Sequence, residues 1–177
     1  MTVDCPFDCE YLQVARKHEP LAEIDPATMG NPDIRVTEES LEANSLLMLA
    51  IGGVLLAAAA QTRAVDSDVR EALASLIQTY RTLQRGVIYE SLPTNPLAAN
   101  LYREVEEMVA AFRQEETRRS GMTKTRDSDV LRVLVFFERL ALDRNNGRAR
   151  GRAFLDVLRL LQADKAKASV APSLILP

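Results

Sequence analysis

The chain has 177 residues, of which 47% are hydrophobic and 27% charged, and its formal net charge is −3. These values are typical of one globular domain that is large enough to bury a core, and two cysteines are too few for a disulfide-stabilised scaffold. The chain has only 7 Gly, no Trp and no segment in which apolar and polar residues alternate over a strand's length. The sequence therefore predicts an all-α fold.

The charges are unevenly distributed along the chain. Residues 1–62 contain ten Asp and Glu against three Lys and Arg, whereas residues 117–152 contain ten Lys and Arg against four Asp and Glu. A mixed surface that keeps the domain soluble would explain this distribution, and so would a basic region that binds an anion or an acidic partner. We favour the first interpretation because a mixed surface is usual in soluble domains.

Residues 1–35 are predicted to form an N-terminal arm that lies over the body of the domain. They contain both cysteines, the only histidine and four prolines. This proline spacing permits one short helix, from about Cys9 to His18, and otherwise extended chain. The first residues lack a charged segment followed by an apolar stretch, so we predict no secretory signal and expect a cytoplasmic protein.

Residues 36–165 are predicted to form a bundle of about five main helices. Thr37 is the expected N-cap of the first, which continues through fifteen residues, 46–60, without a polar side chain. With a rise of about 1.5 Å per residue this run is about 22 Å long, which is short of the roughly 30 Å of bilayer hydrocarbon. We therefore predict a helix buried in the centre of the bundle and no membrane span.

The other four helices are predicted to begin near residues 66, 95, 127 and 152. Asn95 followed by Pro96 is typical of a helix start, and the last helix is expected to end near Ala163. Residues 166–177 are bounded by proline and are predicted to form an extended or flexible tail.

A short sequence recurs at two of these helix starts. Asp66-Ser67-Asp68-Val69 is repeated 61 residues later, and Gly86 and Gly147 are related by the same offset. The recurrence indicates either a duplicated helical hairpin or two independent uses of the same capping residues.

Cys5 and Cys9 are candidate metal or redox residues. Thiolates and imidazole bind zinc, but residues nine apart on one helix lie on opposite faces and about 13 Å apart, so His18 is a poor third ligand for a site at Cys9. Zinc is therefore one hypothesis, a reactive thiol pair with a thiolate stabilised near a helix N-terminus is a second, and two structural thiols in a packed turn is the third.

The same opening resembles a bacterial all-helical family. The resemblance lies in Cys5-Pro6-x-Asp8-Cys9-x-Tyr11-Leu12-x-x-Ala15-Arg16-x-His18-Glu19, and residues 144–148 and 152–156 are similar to later segments of that family. It implies an all-helical fold, and it implies no substrate or mechanism because no activity is assigned to the family.

An Arg-rich turn precedes the last predicted helix. Backbone N–H groups, a positive helix end and guanidinium groups together can hold a phosphate or a carboxylate. Nucleic acid is a poor match because no aromatic residue lies among the arginines and the whole chain is acidic. A solvated turn whose arginines pair with nearby carboxylates is the alternative. The candidate residues are Arg144, Arg148, Arg150 and Arg152.

The sequence offers little for catalysis. One histidine excludes most nucleophile–base arrangements, and there is no glycine-rich phosphate loop. The glutamates at 104, 106, 107, 115 and 116 are interpreted as a solvated helix face, since carboxylate-bridged metal sites usually use Glu-x-x-His. We expect a non-catalytic helical adaptor that binds protein, with no cofactor or with zinc in the arm. The alternative hypotheses are a metal- or thiol-dependent regulator that uses Cys5 and Cys9, and an anion- or nucleic-acid-binding protein that uses the Arg-rich turn.

Overall fold

The structure, a computed structural model, describes residues 30–145, 147, 148 and 150–170. Within these ranges it contains six α-helices and no strand, which confirms the predicted all-α bundle. The helices are α1 (Glu38–Ala43), α2 (Ser45–Thr62), α3 (Asp66–Gln84), α4 (Pro96–Ser120), α5 (Asp127–Asp143) and α6 (Ala153–Val170).

The first predicted helix is two helices in the structure. Thr37 caps α1 as predicted, because its Oγ1 accepts from the Ser40 backbone N–H and the Ser40 hydroxyl accepts from the Thr37 N–H. Asn44 ends α1 with a non-helical backbone, and its side-chain amide donates to the Ser40 carbonyl. An Asn side chain competes with the helix for backbone partners, which explains the interruption before α2.

The apolar helix α2 buries one face and not the whole predicted run. Leu47, Ile51 and Leu55 are at most 1% exposed, whereas Leu46 is 71% exposed. Among the described residues α2 is the one helix that is long and apolar enough to cross a membrane, and 33% of it is buried. It packs against α4 and α6.

The centre of the core lies where α3 packs against α5 and α4. Apolar residues three and four positions apart line one side of α3, as its sequence predicts. The helix α5 buries residues on more than one face, and Phe136 and Phe137 meet in a tilted ring contact. The largest side chains that are buried below 2% exposure include Leu73, Leu76, Leu131, Leu134 and Phe154.

Both Asp-Ser-Asp segments begin helices, as predicted, but the capping geometry differs from the expectation. The N-cap residues are Val65 and Arg126, one position earlier. In each case the third-position aspartate accepts from the N-cap backbone N–H, at 2.8 Å for Asp68 and 3.1 Å for Asp129. The duplicated hairpin itself stays a prediction.

The remaining boundaries follow the sequence except at the last helix. The Asn95 side chain accepts from the Leu97 N–H at the start of α4, and Gly121 ends α4 with a φ of 76°. The helix α6 continues to Val170, seven residues beyond the predicted end, so residues 166–170 of the predicted tail are helical. Residues 163–168 are Ala, Asp and Lys without Gly or Pro, and such a composition continues a helix.

Residues 30–36 lie across the bundle. The Arg139 guanidinium donates to the carbonyl oxygens of Gly30, Asn31 and Ile34, and Arg81 pairs with Asp33. These contacts attach the described end of the predicted arm to α5 and α3.

Candidate functional site: an exposed apolar loop

The helix α3 ends in a glycine-dependent turn that fixes the direction of the following chain. Gly86 has a φ of 73°, its N–H donates to the Leu83 carbonyl, and the Val87 N–H donates to the Thr82 carbonyl. This pair of bonds is the Schellman arrangement, in which only glycine adopts the left-handed conformation without strain. The chain therefore reverses at Gly86 and runs back beside α3.

Four large apolar side chains are exposed directly after this turn. Val87 is 53% exposed, Ile88 92%, Tyr89 63% and Leu92 64%. Scattered apolar side chains are normal on protein surfaces, but four within six residues form a concentrated patch. We call residues 87–92 the apolar loop.

Three hydrogen bonds join the apolar loop to α3, and all three use its odd-numbered residues. The Val87 N–H donates to the Thr82 carbonyl, the Tyr89 carbonyl accepts from the Thr82 hydroxyl at 3.0 Å, and the Ser91 N–H donates to Thr79 Oγ1 at 2.9 Å. The backbone groups of residues 88, 90 and 92 make no hydrogen bond to any described residue. The three bonding residues thus alternate with three that make no such bond, which is the order in which an extended chain presents its backbone groups to opposite sides.

A buried polar pair supports the loop from below. Thr79, which is 2% exposed, also bonds the Tyr102 hydroxyl at 3.1 Å, so one side chain links α3, α4 and the loop. Burial raises the pKa of Tyr102, which therefore stays a neutral hydroxyl at physiological pH.

Two glutamates, Glu90 and Glu106, act on the Tyr102 hydroxyl beneath the loop. Burial raises the pKa of Glu106, and the charge of Glu90 raises it further. One carboxylate oxygen of Glu106 is buried without a hydrogen-bond partner, and the Tyr80 hydroxyl beside it is buried, with a raised pKa. Glu106 therefore departs from the predicted solvated face, because its position on α4 turns it toward α3.

Two other members of the predicted glutamate cluster have local structural partners. Glu116 accepts from the backbone N–H groups of Lys124 and Thr125, and Glu115 pairs with Arg118 and Arg119. In the described part of the chain, no group of three or more His, Cys, Asp or Glu is placed to hold a metal ion.

The Arg-rich turn is described in part, and its helix end is already occupied. The Asp66 carboxylate accepts from the Phe154 N–H at 3.0 Å and from the Leu155 N–H at 3.2 Å, the groups that were expected to bind an external anion. Asp66 is 5% exposed, and burial raises the pKa of its carboxyl although these N–H bonds oppose the shift.

The four candidate arginines differ in their exposure and in their contacts. Arg144 pairs with the neighbouring Asp143 at 3.1 Å, Arg148 and Arg150 are exposed, and Arg152 is half-buried. Arg148 and Arg152 make interactions of their own within the protein. The turn lies at the Asp66 end of α3, about 27 Å along the helix axis from the apolar loop.

Cys5, Cys9 and His18 lie outside the described residues, so their hypotheses stay predictions. The apolar loop was not predicted as a site, although its sequence carries a signal. Val87-Ile88-Tyr89 combines β-branched and aromatic residues between a helix-ending Gly and Pro93, in a segment too short for a core element.

Comparison of the chain with protein-family models, with curated proteins and with solved structures gives no match. The resemblance of residues 5–19 to a bacterial helical family stays a prediction.

Proposed function

We propose that this chain is a non-catalytic protein-interaction module of the adaptor kind, acting in the cytoplasm, and that the apolar loop is its contact surface. The observation that carries the proposal is the exposure of Val87, Ile88, Tyr89 and Leu92 on a segment that three hydrogen bonds hold against α3. Interface centres are enriched in aromatic and other large apolar residues. A loop that is already ordered loses less conformational entropy on binding than a flexible one.

The two alternative functions have less support. Anion or nucleic-acid binding at the Arg-rich turn would compete with Asp66, which already accepts from the N–H groups at the start of α6. A regulatory role of Cys5 and Cys9, with zinc or as a thiol pair, remains a separate proposal that elemental analysis and mass measurement before and after reduction would test.

The interaction proposal is tested by photocrosslinking in cells of the source organism. A photoreactive phenylalanine analogue is placed at Ile88 in one variant and at Leu46 in a matched control, because both side chains are apolar and more than 70% exposed. We expect a discrete crosslinked protein band from position 88 that position 46 does not give. The same bands from both positions, or no band from position 88, would show that the loop is not a specific contact surface.

A further inference from the structure

The apolar loop has one attached edge and one open edge. The Val87 N–H, the Tyr89 carbonyl and the Ser91 N–H bond to the last two turns of α3, whereas the N–H and C=O groups of residues 88, 90 and 92 have no hydrogen-bond partner in the described chain. Water satisfies these groups at an exposed edge, and a second extended chain can replace that water group by group.

The side chains of the open edge follow an apolar–acidic–apolar order. Side chains two residues apart in a strand lie on the same face, so Ile88, Glu90 and Leu92 would share one face of an added strand pair. All three are exposed. Glu90 is the only charged residue between Gly86 and Asn95.

We infer that this open edge receives an extended segment of another protein, which adds to it as a β-strand and carries a basic residue opposite Glu90 with apolar residues on either side. The inference rests on the proposed function and names the chemistry of its partner. Main-chain hydrogen bonds to residues 88, 90 and 92 supply the affinity, and the pairs formed by their side chains supply the selectivity.

Charge selects a basic partner over an acidic one. Burial is the main reason that the pKa values of Glu106 and Tyr102 are raised, and the negative charge of Glu90 raises both further, so its field reaches these two groups. A lysine or arginine opposite Glu90 interacts favourably with this field, and a carboxylate does not.

Charge also excludes a second copy of this chain. Antiparallel pairing of two such edges over their full length places Ile88 opposite Leu92 and Glu90 opposite Glu90. Like charges directly opposite each other in a strand pair are destabilising. Pairing between two copies is therefore unfavourable at the central Glu90 position, whereas a basic residue of another protein interacts favourably with Glu90 there.

The test uses the full-length, ¹⁵N-labelled protein and three synthetic heptapeptides of alternating Thr and Val. The first has a central Lys, the second a central Glu, and the third a central Lys with N-methyl groups on the backbone positions of its pairing edge. We expect the first peptide to shift the amide signals of residues 88, 90 and 92 and, at about ten times its Kd, to slow their hydrogen exchange roughly tenfold. The second should bind about two- to fivefold more weakly, and the third should give no protection.

Two variants separate the backbone contribution from the side-chain contribution. Glu90→Pro removes an N–H that has no partner among the described residues, so the fold should persist while peptide affinity falls roughly tenfold or more. Glu90→Gln keeps the N–H and should only abolish the preference for the Lys peptide. If Glu90→Pro does not fold, the changes that the peptides cause in the amide signals of the unaltered protein still show whether a peptide pairs with residues 88, 90 and 92.

Equal binding of the N-methylated peptide, or protection that appears only outside residues 88, 90 and 92, would overturn strand addition. Protection that grows with protein concentration in the absence of peptide would identify a second copy as the occupant and would overturn the partner assignment. A specific crosslink at position 88 together with a negative peptide result would leave the interaction function standing and remove only this mode of binding.

Discussion

Asp66 joins two helix starts through one side chain. It lies in the first turn of α3, and its carboxylate accepts two backbone N–H groups at the start of α6. Burial disfavours the charged carboxylate and raises its pKa, and the two N–H groups offset part of this cost.

Asp66→Ala should lower the free energy of unfolding by about 2–4 kcal/mol, because two buried N–H groups lose their acceptor. Asp127→Ala is the matched control, since Asp127 begins the corresponding segment of α5 and its side chain, which is 40% exposed, pairs with Arg113. The control should cost no more than about 1 kcal/mol. Urea denaturation of both variants measures the difference, and equal costs would contradict the role of Asp66.

Glu106 should make stability depend on pH. Its folded-state pKa lies above the ordinary glutamate value of about 4.3, so the native protein binds this proton more tightly than the unfolded chain. Its contribution to the free energy of unfolding therefore falls as the pH rises from about 4.3 through the raised pKa. Glu106→Gln should flatten the stability profile in this window when unfolding is followed from pH 4 to pH 8. A variant profile parallel to that of the unaltered protein would be evidence against a raised pKa.

At the scale of the element, α2 shows how an almost wholly apolar helix is oriented in a bundle. The sequence of residues 46–60 carries no polar face, so periodicity could not predict which side is buried. The packing of α4 and α6 selects the face with Leu47, Ile51 and Leu55 and leaves Leu46 exposed.

Ile51→Ala should therefore cost about 2–5 kcal/mol by removing buried atoms and leaving a cavity. Leu46→Ala, on the exposed face of the same helix, should change stability by less than about 0.5 kcal/mol. The two values are compared by thermal or chemical denaturation. A cost for Leu46→Ala similar to that of Ile51→Ala would mean that the exposed face is covered in solution.

For the whole molecule, the fold class and most helix boundaries could be predicted because they depend on local signals. Thr37, Asn95-Pro96 and Gly121 act within one helical turn of their own positions. The break at Asn44 and the contact of Asp66 with α6 could not be predicted, since one depends on a choice between two local hydrogen bonds and the other on residues 88 positions apart. The β-branched and aromatic residues of the apolar loop are a local signal, but their exposure depends on how the helices pack and could not be predicted from the loop sequence alone.

Glu90 should also control self-association of the whole molecule. Replacing it by an apolar residue removes the like charges that disfavour pairing of two loops and leaves a run of strand-forming residues at an open edge. Sedimentation velocity should show concentration-dependent association for Glu90→Val, but not for the unaltered protein or for Glu90→Lys, which keeps a charge. Identical behaviour of the Val and Lys variants would indicate that the edge does not mediate contacts between copies.

The long-range bond of Asp66 has a consequence for the order in which the protein folds. During synthesis α3 is made well before Phe154 and Leu155, so the carboxylate of Asp66 has no native donors until the start of α6 is available. Burying Asp66 earlier would leave a charge without partners, which favours keeping the α3 start hydrated until then. Complete packing of the bundle is thereby coupled to the synthesis of α6. In a chain that ends before residue 155, the start of α3 would stay unpacked and hydrated.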